Sequence, residues 1–169
     1  MREIIEKIIK HIVDQKDLAS VEEIEGLNSN TLIARVAGED YGRIVGVRGR
    51  TIQMFQEIVQ DCGMLNFNKQ YRLILEEPVT KEWGKSTSFV AGQEWSKEEI
   101  INDVKEFLGL YAKLELNVVD VGNNVIFECK FIEKRFDMIR EDVANNYKFI
   151  IKALCKGYGR NAILDIYRD

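Results

Sequence analysis

Isoleucines recur at intervals of three and four residues at the start of the chain. Ile4, Ile5, Ile8, Ile9 and Ile12 fall on one side of a helical wheel. The pattern therefore predicts an amphipathic helix from about residue 1 to residue 13. Such a helix needs an apolar surface to cover, so a sheet should follow it.

Two β-rich runs follow this helix, at residues 21–25 and 31–37. The segment between them, residues 26–30, contains a glycine and short amide side chains that favour a turn. The two runs therefore predict a β-hairpin. Apolar side chains alternate along the second run, as expected for a strand with one face in the core.

A second helical pattern begins after a glycine-rich stretch. Its apolar positions are Ile52, Phe55, Ile58 and Val59. The pattern stops near Gly63, which we predict to be a left-handed helix cap. Residues 71–75, Tyr-Arg-Leu-Ile-Leu, predict a strand. With a short helix before the glycines, the predicted order through residue 77 is helix, strand, strand, helix, helix, strand.

The same order of elements returns after residue 96. A helical stripe over residues 100–108 precedes strand patterns at 114–118 and 125–131, a helical region at 136–156 and a strand at 162–167. Shifting the sequence by about 95 residues aligns the two patterns, although few residues are identical. Two explanations stay open: an internal duplication, or two small α+β domains that are alike only in pattern.

Residues 78–96, between the two halves, have no sustained period and include the only proline, Pro78. We predict a linker there. Its Trp83 and Trp95 either stack on nucleic-acid bases or pin the linker to a domain. The predicted fold class is α+β, with two tandem domains at residues 1–77 and 97–169, each a three-stranded sheet covered by helices.

Charge and composition narrow the functional class. A formal net charge of −4 argues against a protein that coats nucleic acid by bulk electrostatics. Charged residues among the first isoleucines argue against a signal peptide or membrane span. Three widely spaced cysteines and a single histidine disfavour a disulfide framework, a zinc site and acid–base catalysis. We expect a cytoplasmic, non-enzymatic protein with no metal or cofactor, and we expect its cysteines to be buried apolar residues.

Residues 41–51, Tyr-Gly-Arg-Ile-Val-Gly-Val-Arg-Gly-Arg-Thr, carry the specific chemical signal. Gly46 and Gly49 remove the Cβ atoms that would hold another backbone away, and Gly49 opens a helix whose free N–H groups attract an anion. No acidic residue occurs between residues 41 and 56 of this acidic chain. The cationic residues of the stretch are Arg43, Arg48 and Arg50. The segment predicts a phosphate site, and the alternative is a structural turn that binds nothing.

This arrangement resembles the KH domain in its bacterial, type II topology. Residues 1–77 are particularly similar to the small bacterial KH proteins of the KhpA type. They share the isoleucine-rich opening helix, a hairpin sequence seen here as Ile24-Glu25-Gly26, and an approach to the loop seen here as Val36-Ala37-Gly38-Glu39-Asp40-Tyr41-Gly42. The resemblance implies that the GxxG loop, Gly46-Val47-Arg48-Gly49, clamps about four nucleotides of single-stranded RNA without chemistry on the RNA.

The expected mode of binding combines backbone, apolar and cationic contacts. Phosphate is expected at the N–H groups of residues 47–50, with bases over an apolar groove. The predicted RNA-binding residues are Arg43, Ile44, Val45, Gly46, Val47, Arg48, Gly49, Arg50 and Ile52. The chain departs from the family at Val47, which leaves one cation inside the loop, and at Gly38, where a proline is common.

In the second half the resemblance covers only the order of elements. The loop position falls near residues 140–143, Arg-Glu-Asp-Val, which have no glycine and two carboxylates that would repel phosphate. We therefore predict a degenerate KH-like domain without a GxxG loop. The resemblance implies single-stranded RNA, ribosomal RNA included, as partner, a role in ribosome maturation or RNA regulation, and a protein partner for the C-terminal domain. The alternative is a non-enzymatic assembly or scaffold protein in which both halves pair with proteins or with themselves.

Overall fold

The computed structural model describes residues 1–78, 96–111, 113–121, 124–132, 141–156 and 161–167. By its internal contacts the chain divides into two compact units, Met1–Val90 and Ala91–Asp169. Nearly all of the predicted linker, including Trp83 and Trp95, lies outside the described residues.

The described part of the first unit, residues 1–78, contains three helices and a three-stranded sheet in the predicted order. They are α1 (Arg2–Ile12), β1 (Ser20–Glu25), β2 (Ser29–Arg35), α2 (Gly38–Val45), α3 (Arg50–Phe67) and β3 (Gln70–Leu75). Short 3-10 turns at Lys16–Leu18 and Val47–Gly49 precede β1 and α3. The predicted sequence of helix, strand, strand, helix, helix, strand is confirmed.

The sheet of the first unit has the strand order β1-β2-β3. Strands β1 and β2 form an antiparallel hairpin, with Glu25 opposite Asn30. Strands β2 and β3 are parallel, with Leu32 opposite Leu73. A parallel pair needs a crossover connection, which α2 and α3 provide. Helix α3 leads directly into β3, so the helix and the strand run in opposite directions. The start of α3 therefore lies toward the carboxyl end of β3.

Helix α1 packs its isoleucine stripe on this sheet. Ile5, Ile8 and Ile9 are fully buried, as are Leu32 of β2 and Phe55 of α3. Each fully buried side chain of this size stabilises the fold by about 1.5–3 kcal/mol relative to an exposed one. The isoleucine spacing of three and four residues therefore corresponds to the face of α1 that is buried in the core.

Gly63 does not end the helix, so its prediction as a left-handed cap is wrong. Helix α3 continues to Phe67, and Asn68, with φ 50°, takes the left-handed conformation. Gly63 is buried inside the helix, where an added Cβ would lie 2.5 Å from Cδ2 of Tyr71. The glycine is required because β3 approaches the helix closely at this point.

The second unit also has an α+β arrangement. Its described elements are α4 (Lys97–Gly109), β4 (Leu114–Val121), β5 (Asn124–Phe131), α5 (Glu141–Lys156) and β6 (Asn161–Tyr167). The sheet order is β4-β5-β6, with an antiparallel first pair and a parallel second pair. The predicted α+β class is confirmed for both units. The connection between β5 and α5 lies outside the described residues.

All three cysteines are buried and free, as the sequence predicts. Burial raises the pKa of Cys129 and of Cys155 to about 12, because the charged thiolate would lose its hydration. Both are 0% exposed, as are Phe127 and Ile150 of the same unit. These thiols therefore act as small apolar residues of the core.

Candidate nucleic-acid interface

The connection between α2 and α3 is a tight turn with three left-handed residues. Gly46 follows α2 with φ 71° and ψ 177°, and its N–H donates to the carbonyl of Gly42 at 2.9 Å. Arg48 and Gly49 have φ values of 55° and 74°. Helix α3 then begins at Arg50. The turn therefore reverses the chain within four residues, Gly46 to Gly49.

Glycine is favoured at the two loop positions for different reasons. A Cβ on Gly46 would lie 2.1 Å from Oγ1 of Thr51, which is a severe clash. A Cβ on Gly49 would meet no atom within 4 Å, so only the left-handed backbone favours glycine there. Arg48 holds the same left-handed conformation with a side chain, which costs on the order of 1 kcal/mol.

The turn leaves fewer backbone donors free than the sequence predicted. The N–H of Gly49 donates to the carbonyl of Gly46 at 3.2 Å, and the N–H of Arg50 donates to the carbonyl of Val47. Two of the four N–H groups expected to hold phosphate are thus already bonded. No side chain caps the start of α3, and the positive end of the helix dipole is directed at this loop.

Arg48 and Arg50 extend into solvent at this helix start. Both side chains are exposed, and neither has a hydrogen bond or ion pair within the part of the chain that the structure describes. By contrast, Arg35 on the sheet is paired with Glu22 and Glu76. The loop therefore carries positive charge that no carboxylate neutralises.

Arg43 differs from Arg48 and Arg50 because it is paired with carboxylates, and its predicted role in binding RNA stays a prediction. Its Nη1 lies 2.5 Å from Oδ1 of Asp14 and 3.8 Å from Oδ1 of Asp40. Asp40 is 1% exposed and accepts from the backbone N–H groups of Asp14 and Gln15 at 3.0 and 2.9 Å. A buried carboxylate needs a cation beside it. Arg43 supplies that cation and holds α2 against the end of α1.

The apolar residues beside the loop differ in exposure. Val47 is 81% exposed at the loop tip, and Val45 and Ile52 are half-buried. Ile44 is 0% exposed, so its side chain belongs to the core, and its predicted contact with a base stays a prediction. The apolar side chains beside the loop that are at least partly exposed are therefore those of Val45, Val47 and Ile52.

One residue that the sequence did not single out is Gln56. It lies one helical turn after Ile52 on α3, and its Nε2 donates to the carbonyl of Leu73 in β3 at 3.1 Å. The spacing of four residues could have placed it beside Ile52. Its bond to β3 needed the structure, because nothing in the sequence pairs residue 56 with residue 73.

Known proteins are similar to this chain over the same residues that form α1 to β3. The family model described as KhpA/KhpB, KH domain, matches residues 2–75. RNA-binding protein KhpA of Caldanaerobacter subterraneus subsp. tengcongensis is 33% identical over 76 residues, which cover 45% of this chain and 97% of that protein. This chain belongs to the KhpA/KhpB KH-domain family. RNA-binding protein KhpA of Borreliella burgdorferi is 38% identical over 61 residues, which cover 36% of this chain and 74% of that protein. RNA-binding protein KhpA of Chlamydia pneumoniae is 30% identical over 77 residues, which cover 46% of this chain and 99% of that protein.

The KhpA/KhpB match covers every element of the first unit, from α1 to β3, and includes the loop at Gly46 to Gly49. In the second unit, Glu141, Asp142 and Val143 of the predicted loop position form the first turn of α5, and Arg140 lies outside the described residues. Residues 140–143 contain no glycine.

Two further features of the described ranges bear on function. Among them, no helix combines the length and apolar character needed to cross a membrane. The same ranges hold no group of three histidine, cysteine or acidic side chains that could bind a metal ion.

Proposed function

We propose that this protein binds single-stranded RNA through the loop Gly46-Val47-Arg48-Gly49 and the start of α3. The observation that carries the proposal is the pair of exposed, unneutralised arginines, Arg48 and Arg50, at an uncapped helix start. Its relatives are named RNA-binding proteins. Two such cations beside a glycine turn attract phosphate locally, although the chain as a whole is acidic.

In the proposed mechanism, a phosphate lies at the start of α3 and is stabilised by the helix dipole and by Arg48 and Arg50. The neighbouring bases rest on Val45, Val47 and Ile52. Contacts to phosphate fix the position of the strand, and contacts to base edges provide preference for sequence. No bond of the RNA is made or broken.

We further propose the division of labour between the two halves. Residues 1–77 form the RNA-binding KH domain, residues 78–96 a linker, and residues 97–169 a degenerate KH-like domain that contacts a protein partner. The shared strand order and mixed pairing of the two sheets support a tandem KH-like arrangement. Ribosome maturation or RNA regulation, with ribosomal RNA among the targets, is the cellular role that we propose.

The test is a fluorescence titration of an unstructured RNA with wild type and with the double variant Val47→Asp/Arg48→Asp. Wild type should bind in a salt-sensitive way, because phosphate contacts release counterions, and the variant should bind at least about tenfold more weakly. Leu27→Asp/Arg72→Asp is a matched control, since it makes the same charge change at exposed positions of the hairpin and β3. Circular-dichroism melts establish that both variants are folded.

The competing function is that of an assembly or scaffold protein. The overall charge of −4 and the acidic first turn of α5 favour it. If wild type shows no salt-sensitive RNA binding in the micromolar range, or if the loop variant binds as well as the matched control, the RNA model fails.

A further inference from the structure

Within residues 1–78, strand β3 has an edge beside α3 that pairs with no other strand. In the described sheet β3 pairs only with β2. The N–H groups of Gln70 and Glu76 face that neighbour, since they donate to the carbonyls of Asn28 and Ala34 at 3.3 and 2.9 Å. Alternate residues of a strand direct their polar groups to opposite sides. The N–H and C=O of Leu73 therefore face the free edge.

The side chain of Gln56 reaches this edge from α3. Its Nε2 donates to the Leu73 carbonyl at 3.1 Å, while the side chain as a whole remains exposed. One N–H of the amide is used in this bond. The amide keeps a second N–H donor and the acceptor Oε1, and its bond to the edge strand restricts the orientation of both.

The position of this amide relative to the loop suggests what it contacts. Ile52 and Gln56 are one helical turn apart on the same side of α3, about 6 Å along the axis. Ile52 adjoins the start of the helix, where we place the phosphate. A base that rests on Ile52 therefore has its edge within reach of the amide of Gln56.

We propose that Gln56 selects adenine in the bound strand, an inference that rests on the RNA-binding function proposed for the loop. The exocyclic amine and the neighbouring ring nitrogen of adenine form a donor and acceptor pair that an amide matches with two hydrogen bonds. Because the Leu73 carbonyl already orients the amide, little side-chain entropy is lost when the base binds. In this arrangement the loop supplies the affinity for RNA, and Gln56 supplies the preference for adenine.

The structural alternative is that Gln56 only covers an exposed strand edge, which protects the sheet from pairing with another strand. This role predicts no effect of Gln56 on the choice of base. A comparison of base preference before and after substitution therefore distinguishes the two roles, whereas a measurement of stability alone does not.

The experiment measures fluorescence anisotropy with RNA octamers of uridine that carry one central adenine, cytosine or guanine, or none. Wild type should bind the adenine octamer at least about fivefold more tightly than the others, the lower end of what one bidentate contact provides. In Gln56→Ala and Gln56→Leu this ratio should fall below about twofold, with affinity for the all-uridine octamer unchanged within about twofold. Gln60→Ala, one turn farther from the loop, should retain the wild-type ratio.

Each other result has a defined meaning. Equal affinity of wild type for all octamers, a preference for another base, or a preference that persists in the folded Gln56 variants overturns the assignment of adenine selection to Gln56 and leaves RNA binding intact. Absence of binding to every octamer overturns the proposed RNA function itself, and the inference with it.

Discussion

At the scale of single residues, the loop combines charge with an unfavourable backbone. Arg48 is one of two described non-glycine residues with positive φ, and a glycine there would avoid the strain. The arginine is exposed and contributes to no described hydrogen bond or ion pair. A strained residue that the fold does not need is explained if its side chain contacts a ligand.

Substitution of the two neighbouring arginines by glycine should therefore change stability in opposite directions. Arg48→Gly removes the cost of the left-handed conformation and should raise the free energy of unfolding by about 1 kcal/mol. Arg50, with φ −67°, is helical, so Arg50→Gly should lower the same quantity by about 0.5–1 kcal/mol. Urea denaturation measures both. A loss of stability in Arg48→Gly as large as that in Arg50→Gly would contradict the loop geometry.

The glycines of this region should also separate into three classes when changed to alanine. Gly46→Ala should destabilise by more than about 2 kcal/mol, because it adds a clash with Thr51 to backbone strain. Gly49→Ala should cost about 1 kcal/mol, from strain alone. Gly42, helical and with no atom near its Cβ position, should stabilise by about 0.5–1 kcal/mol as alanine. Thermal melts that rank the three variants in another order would show that this loop conformation is incorrect.

At the scale of elements, sequence periodicity was sufficient to find the helices and strands, because each buries one regular face. It failed where a single contact between distant elements decides the outcome. The sequence pattern predicts a helix end at Gly63, but this glycine lies within α3 and leaves room for the side chain of Tyr71. Arg43 looked like part of the loop charge, but Asp14 and Asp40 neutralise it. Ile44 looked accessible, but its position on α2 directs it into the core. Periodicity contains no information on such partners.

The contact between α1 and β1 is expected to respond to pH through Glu6. Its carboxylate accepts a hydrogen bond from Lys10 at 2.5 Å and another from the N–H of Val21 at 3.2 Å. The Lys10 bond is the main cause that holds the pKa of Glu6 below its usual value, and burial opposes it. A lowered pKa in the folded state gives stability that is present above the unfolded pKa and is lost as pH falls through the folded pKa.

We therefore expect Glu6→Gln to be less stable than wild type at pH 7 by under about 1 kcal/mol, since the pair is partly exposed. The difference should shrink as the pH falls below about 4. Denaturation at several pH values measures it, with Glu3→Gln on the exposed side of α1 as the control for net charge. A difference that is constant from pH 7 to pH 3 would rule out this linkage.

At the scale of the whole molecule, the family match and the exposed arginines Arg48 and Arg50 lie within residues 1–78, together with the sheet β1-β2-β3. A fragment with these residues should therefore fold cooperatively and bind unstructured RNA within about threefold of the full chain, since its core is complete. Circular dichroism and the same fluorescence titration measure this. An unfolded fragment, or one whose affinity falls more than tenfold, would show that the second half takes part in RNA binding.

Amide chemical shifts measure directly which residues of the chain contact RNA. When an unstructured RNA octamer is titrated into the ¹⁵N-labelled protein, we expect the largest shifts at Gly46 to Ile52 and at the side-chain amide of Gln56. The hairpin tip at residues 26–28 and helix α5 should change little. Shifts that are largest at the hairpin tip or on α5, or RNA binding without shifts at the loop, would contradict the account.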